Sequence, residues 1–434
     1  MRSLVLVGVV WLVACGPGAG SGVDGGVGGG LPAAGGGFAS GGGSAGGFVT
    51  GGGQAGGAVA GGASGGGASG GGASGGGASG GAAGGAADAG VTTTIRVHYP
   101  TGTRRMFLRG ALLPLSWIAG VAMQQVDADT WEYTVPAHTQ PLEFKPRLDE
   151  QEWSKGPNFV VRPGQTIDVY PRFFRDVGEV SRRWPDFRSN VLGNSRGVWV
   201  YLPPTYVENT SFRAPVVYMH DGQNLFDPAT AFQGNEWQVD ETMNRAANDG
   251  FVAEAIVVGP ENTAARIDEY TPTQTAMYGG GRGDLYLRFL VEELKPVIDR
   301  DYRTLPDRAH TTVMGSSLGG LISTHAGVQR PEVFGNVGAL SPSTWWDNRW
   351  ILGAVAGLRP APARPLKVYV DSGNAGASMD DAANTAQLAQ AWRDRGYADG
   401  ATLLYVLQNG ATHSETYWAQ RLPEALRFLL GPGR

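Results

Sequence analysis

Between Thr92 and about Phe174, apolar side chains fall at every second position in short runs bounded by proline and glycine. The runs are Thr94-Ile95-Arg96-Val97-His98-Tyr99, Met106-Phe107-Leu108-Arg109-Gly110, Trp131-Glu132-Tyr133-Thr134-Val135, Leu142-Glu143-Phe144-Lys145 and Thr166-Ile167-Asp168-Val169-Tyr170. A period of two puts one face of each run in a core, and this spacing predicts a small all-β sandwich over 92–175. From Arg182 the pattern changes to near-continuous apolar strands, Val198-Trp199-Val200-Tyr201-Leu202, Pro215 to Met219 and Ala255 to Val258, and they alternate with helical spacing as far as Arg434. Leu285 to Ile298 reads as an amphipathic helix with Leu285, Phe289 and Leu290 on its apolar face. Strands apolar on both faces belong in a mostly parallel sheet covered by helices, so 182–434 is expected to be an α/β domain.

One stretch of that domain carries chemistry. Thr311, Thr312 and Val313 are β-branched and suit a strand, whereas Leu321, Ile322, His325 and Val328 fall at helical spacing. Between them lies Gly315-Ser316-Ser317-Leu318-Gly319, a strand, turn and helix with glycine two positions either side of Ser317. Small residues there let strand and helix pass closely while a strained turn lifts the serine hydroxyl above the sheet.

A serine hydroxyl needs an adjacent imidazole, itself oriented by a carboxylate. Of six histidines, only His413 follows both Ser317 and the strand Lys367-Val368-Tyr369-Val370, and it sits in a loop directly after the predicted strand Thr402 to Leu407. His325 reads as a packed helix residue, and His98, His138 and His310 as structural or surface residues. For the acid, the loop after Val370 offers Asp371, Asp380 and Asp381; Asp380 is the choice, with the other two as alternatives. Two backbone amides must receive the developing oxyanion. The candidates are those of Leu318, next to the nucleophile, and of Gln223, in His220-Asp221-Gly222-Gln223-Asn224-Leu225-Phe226-Asp227. Trp237, Arg266, Tyr270, Trp345 and Trp346 are candidates to line a pocket for an acyl group or sugar ring. The same tryptophans would also serve as packing beneath the loops, and Arg266 with Glu269 reads as a structural ion pair, with a substrate clamp as the alternative.

These segments together resemble the Putative esterase branch of the α/β hydrolases, which includes enterochelin esterases, feruloyl esterases, S-formylglutathione hydrolases and mycolyltransferases. The resemblance covers about Ser189 to the C-terminus. It rests on His220 to Asp227, Arg266-Ile267-Asp268-Glu269-Tyr270, Gly315 to Gly320, Ser341-Pro342-Ser343-Thr344-Trp345-Trp346, and His413 followed by Trp418. It implies an α/β-hydrolase fold and ester hydrolysis through an acyl-enzyme, without metal or organic cofactor. The departure lies in the acid loop, where members often carry a carboxylate soon after the glycine; here Gly373 is followed by Asn374-Ala375-Gly376. Acyl transfer to a sugar or lipid hydroxyl is the alternative reaction for the same triad. The other reading is a carbohydrate-binding surface protein with an inactive hydrolase domain. In the N-terminal segment, Leu108-Arg109-Gly110, Trp117, Trp131, Glu143-Phe144-Lys145 and Trp153 are similar to starch-binding-type and immunoglobulin-like domains. Trp117, Trp131 and Trp153 are accordingly read as core, with a sugar platform as the alternative.

Composition bounds the rest. The chain has 434 residues, and its 70 glycines crowd the N-terminal fifth. Met1 to Cys15 reads as a lipoprotein signal: a charged start, an apolar run too short to span a bilayer, and Leu12-Val13-Ala14-Cys15, in which Cys15 would be lipidated. Residues 16–91 are almost entirely Gly, Ala and Ser. They predict a disordered tether with a reach of roughly 45–50 Å, since so little apolar surface cannot offset the ordering of its backbone. The expectation is a secreted, membrane-anchored protein, with Gly16 after Cys15 pointing to the outer membrane. Cys15 is the sole cysteine, which excludes an intramolecular disulfide and a thiolate metal site. A net charge of -5 without a lysine or arginine stripe argues against nucleic acid. The expected partners are a small-molecule or polysaccharide-linked ester, the membrane through the lipid anchor, and a glycan at the β-sandwich.

Overall fold

The computed structural model describes residues 92–359 and 364–433. The signal segment 1–15 with its lipidation candidate Cys15, and the linker 16–91, lie outside the described residues.

The alternating runs form two small sheets. One orders Gln124–Gln125, Thr130–Val135, Thr93–His98 and Thr166–Val169; the other contains Val121–Ala122, Met106–Gly110, Leu142–Leu148, Glu152–Trp153 and Phe159–Val161. Their inward positions, Ile95, Val97, Trp131 and Val169 from the first and Met106, Leu108, Phe144 and Phe159 from the second, make one core. Trp131 is part of it, whereas Trp117 and Trp153 stand 38% and 39% exposed. The core reading therefore holds for Trp131, whose inward position in its strand buries it, and fails for Trp117 and Trp153, which stay at the surface.

Glu208 fastens this sandwich to the α/β domain. Its carboxylate accepts hydrogen bonds from the Tyr99 hydroxyl (3.0 Å) and from the amides of Phe173, Phe174 and Arg175 (2.5, 2.9 and 2.8 Å). Asn209 Nδ2 donates to the carbonyls of His98 and Pro171, both at 2.9 Å.

The α/β sheet has eight strands in the order Glu179–Arg188, Ser195–Leu202, Ile256–Pro260, Val216–Met219, Thr311–Ser316, Asn336–Leu340, Lys367–Gly373 and Leu403–Gln408. The first two pairings are antiparallel and the other five parallel, as the apolar runs led one to expect. The boundary expected at 182 falls inside the first strand. That edge strand is bulged and mostly solvated, and only Trp184 and Phe187 pack inward, three residues apart, so no regular alternation reveals it. The expected helix Leu285 to Ile298 also differs. It runs as Gly283–Arg288, a π-helical stretch Phe289–Leu294, and Lys295–Asp301. Pro296 has no N–H to give to the preceding turn, and the ladder re-registers just before it.

Chain order reverses at Val216–Met219, since the next strand in sequence pairs on one side of it and Thr311–Ser316 on the other. Loops leaving the carboxyl ends of these two neighbours diverge over a crevice, where open α/β sheets hold ligands. The candidate oxyanion loop leaves one strand and Ser317 leaves the other.

Candidate active site

Ser317 sits at φ 58°, ψ -121°, between the strand Thr311–Ser316 and the helix Leu318–Gln329. A non-glycine residue rarely adopts that conformation, and tertiary contacts hold it there. Its amide donates to Leu340 O at 3.0 Å, and its carbonyl accepts from Ser343 N at 3.0 Å. Of the two flanking glycines, Gly315 is the closely packed one, since a Cβ there would stand 3.0 Å from His220 Cδ2, whereas one on Gly319 would make ordinary contact with His220 Cβ at 3.4 Å; the next residue, Gly320, would meet Pro342 Cα at 3.0 Å. The half-buried Ser317 hydroxyl lies 3.4 Å from Ser343 Oγ.

His413 and Asp380 are brought together from two other loops. His413 Nδ1 is 2.6 Å from Asp380 Oδ1, and Asp380 is fully buried. Its second oxygen accepts from Ser341 Oγ at 2.7 Å and from the Gly373 amide. Burial works against the Asp380 charge, but the hydrogen bond and charge of His413, with the Ser341 and Gly373 donors, outweigh it and hold the carboxyl below its ordinary range.

The two alternative acids are engaged elsewhere. Asp371 is buried against Arg421 Nε at 2.9 Å and accepts from Tyr369 OH and Ser341 N. Asp381 accepts from Trp345 N at 3.2 Å and Asn384 Nδ2 at 2.6 Å, and burial pushes its carboxyl up to about 6. Asn374, where a family carboxylate was expected, instead laces the loops: its side-chain oxygen accepts from Gly410 N at 2.8 Å, and its amide donates to Ala411 O at 3.1 Å.

The loop after Met219 is clamped from below. Asp221, at φ 60°, receives Arg266 Nε at 2.8 Å, Arg266 Nη2 at 2.9 Å and Asn262 Nδ2 at 2.6 Å. Asn262 N in turn donates to Gln223 Oε1 at 3.2 Å. The Gln223 carbonyl accepts from Thr230 Oγ1, which leaves the backbone amide outside these bonds. Leu318 opens its helix, where the first amides have no intrahelical acceptor. Beneath them His220 is buried with Nδ1 3.1 Å from Tyr286 OH, and burial pushes its imidazole down to about 4.

The expected pocket-lining set divides. Tyr270, Trp237 and Trp346 are buried and belong to the core, so the pocket expectation is corrected for all three. Tyr270 OH accepts from Asp221 N, Trp237 packs on Trp418 with centroids 5.6 Å apart, and Trp346 Nε1 donates to Thr273 O. Arg266 belongs to Asp221, and Glu269 is taken by Arg196 in a fully buried pair at 2.9 Å. Trp345 alone among the aromatic candidates is partly exposed. His325 packs in its helix against Asp284, as expected, and His98, His138 and His310 bond Asp168, Thr93 and Asp307. Sequence reasoning assigns no role to Ser341, Arg421 or Asn262; Ser341 is signalled only by lying in the family-like segment after a strand, and the other two by a place just past a strand or on the helix behind one.

Among the described residues, one group of carboxylates, Glu236, Asp240 and Glu241, brings ligand atoms within 4.8 Å of one another. Burial and the repulsion of neighbouring carboxylates push Glu236 up to about 7 and Asp240 to about 6.

The family model described as Putative esterase matches residues 189–429. The uncharacterized protein YbbA of Bacillus subtilis is 29% identical over 257 residues, covering 57% of this chain and 97% of that protein. The siderophore triacetylfusarinine C esterase of Aspergillus fumigatus is 30% identical over 183 residues, 39% of this chain and 59% of that enzyme. An IroE-like serine hydrolase from Shewanella oneidensis, of known structure, aligns over 58% of this chain and 80% of its own at 20% identity, with a TM-score of 0.48.

Proposed function

The chain belongs to the family described as Putative esterase, and from that premise we propose that it is a secreted, membrane-anchored serine esterase using Ser317, His413 and Asp380. The observation that carries the reading is the 2.6 Å contact between His413 Nδ1 and a buried Asp380, whose other oxygen is held by Ser341, the residue after the Leu340 carbonyl that accepts the Ser317 amide. An ionised Asp380 only accepts, so it fixes the imidazole proton on Nδ1 and leaves Nε2 as the base. Ser317 Oγ, turning from Ser343 toward His413 as substrate enters, gives its proton to Nε2 and attacks the ester carbonyl. The amides of Leu318 and Gln223 receive the oxyanion. His413 then protonates the leaving alcohol and activates the water that releases the acid.

Siderophore esters lead the candidate substrates, followed by feruloylated or acetylated polysaccharides and simple acyl esters. Lipidation at Cys15 would anchor the enzyme with the 16–91 tether as spacer. In the sandwich, the exposed pair Trp117 and Trp153, with ring centroids 6.3 Å apart, favours glycan contact.

The test is hydrolysis of p-nitrophenyl acetate and butyrate by the wild type, Ser317→Ala and His413→Ala. Turnover lost in both variants supports the mechanism. Transfer of the acyl group to added trehalose or glycerol, in place of free acid, would move the reading to an acyltransferase. A folded wild type that neither turns over nor is labelled at Ser317 by a fluorophosphonate would leave a carbohydrate-binding surface protein.

A further inference from the structure

We propose that Ser341 is a positioning residue that orients Asp380 and, through it, His413. The inference rests on the catalytic reading of Ser317, His413 and Asp380 given above.

Ser341 directly follows the strand Asn336–Leu340, is 1% exposed and stands at φ 39°. Its hydroxyl makes three contacts: Asp380 Oδ2 at 2.7 Å, Trp418 Nε1 at 3.0 Å and Arg421 Nη2 at 2.9 Å. An indole N–H and a guanidinium can only donate, and a hydroxyl has two lone pairs and one proton. Trp418 and Arg421 therefore occupy both lone pairs, and the single proton of Ser341 is directed at Asp380. The direction is forced by saturation.

The consequence reaches the base. Asp380 Oδ2 is held by Ser341 and Gly373 N while Oδ1 faces His413, so the carboxylate cannot rotate about its bond without losing a partner. The positive charge of Arg421, polarising the Ser341 hydroxyl, strengthens its donation. Arg421 is itself fixed by the Asp371 ion pair and by Gln408 Oε1 at 2.8 Å, at the end of the strand that leads into the His413 loop. Asp371 closes the ring by accepting from the Ser341 amide at 3.0 Å, which gives this alternative acid a bracing role. Trp418 touches both ends of the arrangement, since its ring also meets His413 edge-on at 4.9 Å.

A serine that only filled the core would affect stability and nothing else. The experiment compares Ser341→Ala and Ser341→Gly with the wild-type full chain on p-nitrophenyl butyrate across pH. Glycine tolerates φ 39°, so Ser341→Gly removes the hydroxyl without backbone strain and carries the comparison should Ser341→Ala lose its fold. The expected result is a kcat lower by roughly ten- to a hundredfold in both variants, as for a lost hydrogen bond to a charged group, with KM within about twofold. The acid limb of kcat/KM, which reports the Asp380–His413 pair, moves to higher pH because Asp380 loses a donor to its ionised form. The downfield proton resonance of the His413 Nδ1–Asp380 bond shifts with it. Wild-type kcat, acid limb and resonance in a folded Ser341→Gly, with only thermal stability lowered, would overturn the proposal. Turnover that survives Ser317→Ala would instead sink the catalytic reading beneath it.

Discussion

Gly222 rests directly on Gly259: a Cβ at Gly222 would stand 2.1 Å from the Gly259 carbonyl oxygen. The candidate oxyanion loop is thus pressed onto the neighbouring strand at a point that admits no side chain. Gly222→Ala must lift the loop and displace the Gln223 amide, and it should lower kcat on p-nitrophenyl butyrate by about 10²–10³-fold. Gln223→Ala keeps that amide and loses only the side-chain acceptor of Asn262 N. Its kcat should stay within about threefold of wild type, because one neutral hydrogen bond is worth little net. Steady-state kinetics on the two variants side by side checks the assignment; equal losses would remove Gln223 N from the oxyanion role.

Asp380 and its two rivals separate by their partners. Asp380→Asn offers His413 an amide in place of a carboxylate, so the imidazole loses its fixed tautomer and kcat should fall by about 10³–10⁴-fold. Asp381→Asn keeps an oxygen for Trp345 N and removes a buried carboxyl, so kcat should remain near wild type. Burial raises the folded pKa of Asp381 to about 6, above its unfolded value, so the native state holds a proton that the unfolded chain releases. The resulting penalty is absent below the unfolded pKa and complete above about 6. Asp381→Asn should therefore raise Tm at pH 8 and leave it unchanged at pH 3.5, as differential scanning calorimetry would read.

How far the sequence discloses this site depends on the range of each interaction. The elbow is legible because strand, glycines and helix are contiguous, and the mostly parallel sheet because its strands are apolar on both faces. Asp380 is the choice from sequence, but Asp371 stays beside it as an alternative there, because the partners that engage Asp371, Arg421 and Ser341, lie 50 and 30 residues from it in sequence. The Arg266 partner is hidden for the same reason: Glu269 lies one turn away, but the clamp forms with Asp221, 45 residues upstream. Loop aromatics such as Trp237, Tyr270 and Trp346 carry no periodic neighbours that distinguish a pocket wall from a core. The edge strand Glu179–Arg188 is solvated along most of its length, and because bulges break its register its inward Trp184 and Phe187 fall three apart and leave no period-two signature.

His220 makes the fold acid-sensitive. Burial pushes its imidazole down to about 4 from an ordinary 6.5, so it enters the native core neutral. Between those values the unfolded chain binds a proton that the native state does not, and stability falls as pH drops through that window. The contribution amounts to about 3 kcal/mol in all. The raised carboxyls of Glu236, Asp240 and Asp381 act in the opposite direction over the same range, so the His220 term is read as a difference: the Tm of His220→Gln relative to wild type should lie lower at neutral pH through lost packing and rise as pH falls from about 6.5 toward 4. An unchanged slope in a folded His220→Gln would assign the acid sensitivity to other groups.

The three sandwich tryptophans should part company under substitution. Trp131 is 4% exposed in the shared core of the two sheets, and Trp131→Ala should cost about 3–5 kcal/mol, read by urea denaturation. Trp117 and Trp153 stand together at the surface, and Trp153 is held in place by guanidiniums: Arg147 Cζ lies 4.4 Å and Arg109 Cζ 5.3 Å from its ring. Both arginines are anchored on Glu150, at 2.7 and 2.9 Å, so the indole is braced although it is exposed. Trp117→Ala should change stability by less than about 0.5 kcal/mol, and Trp153→Ala somewhat more, because its stacked cations lose their ring. The same two variants test the glycan contact by affinity electrophoresis in gels containing starch or xylan. Retardation of the wild type that both variants lose, while each remains folded, would make the pair a sugar platform. Migration of the wild type unaffected by either polysaccharide would leave Trp117 and Trp153 as a braced surface pair without a role in binding them.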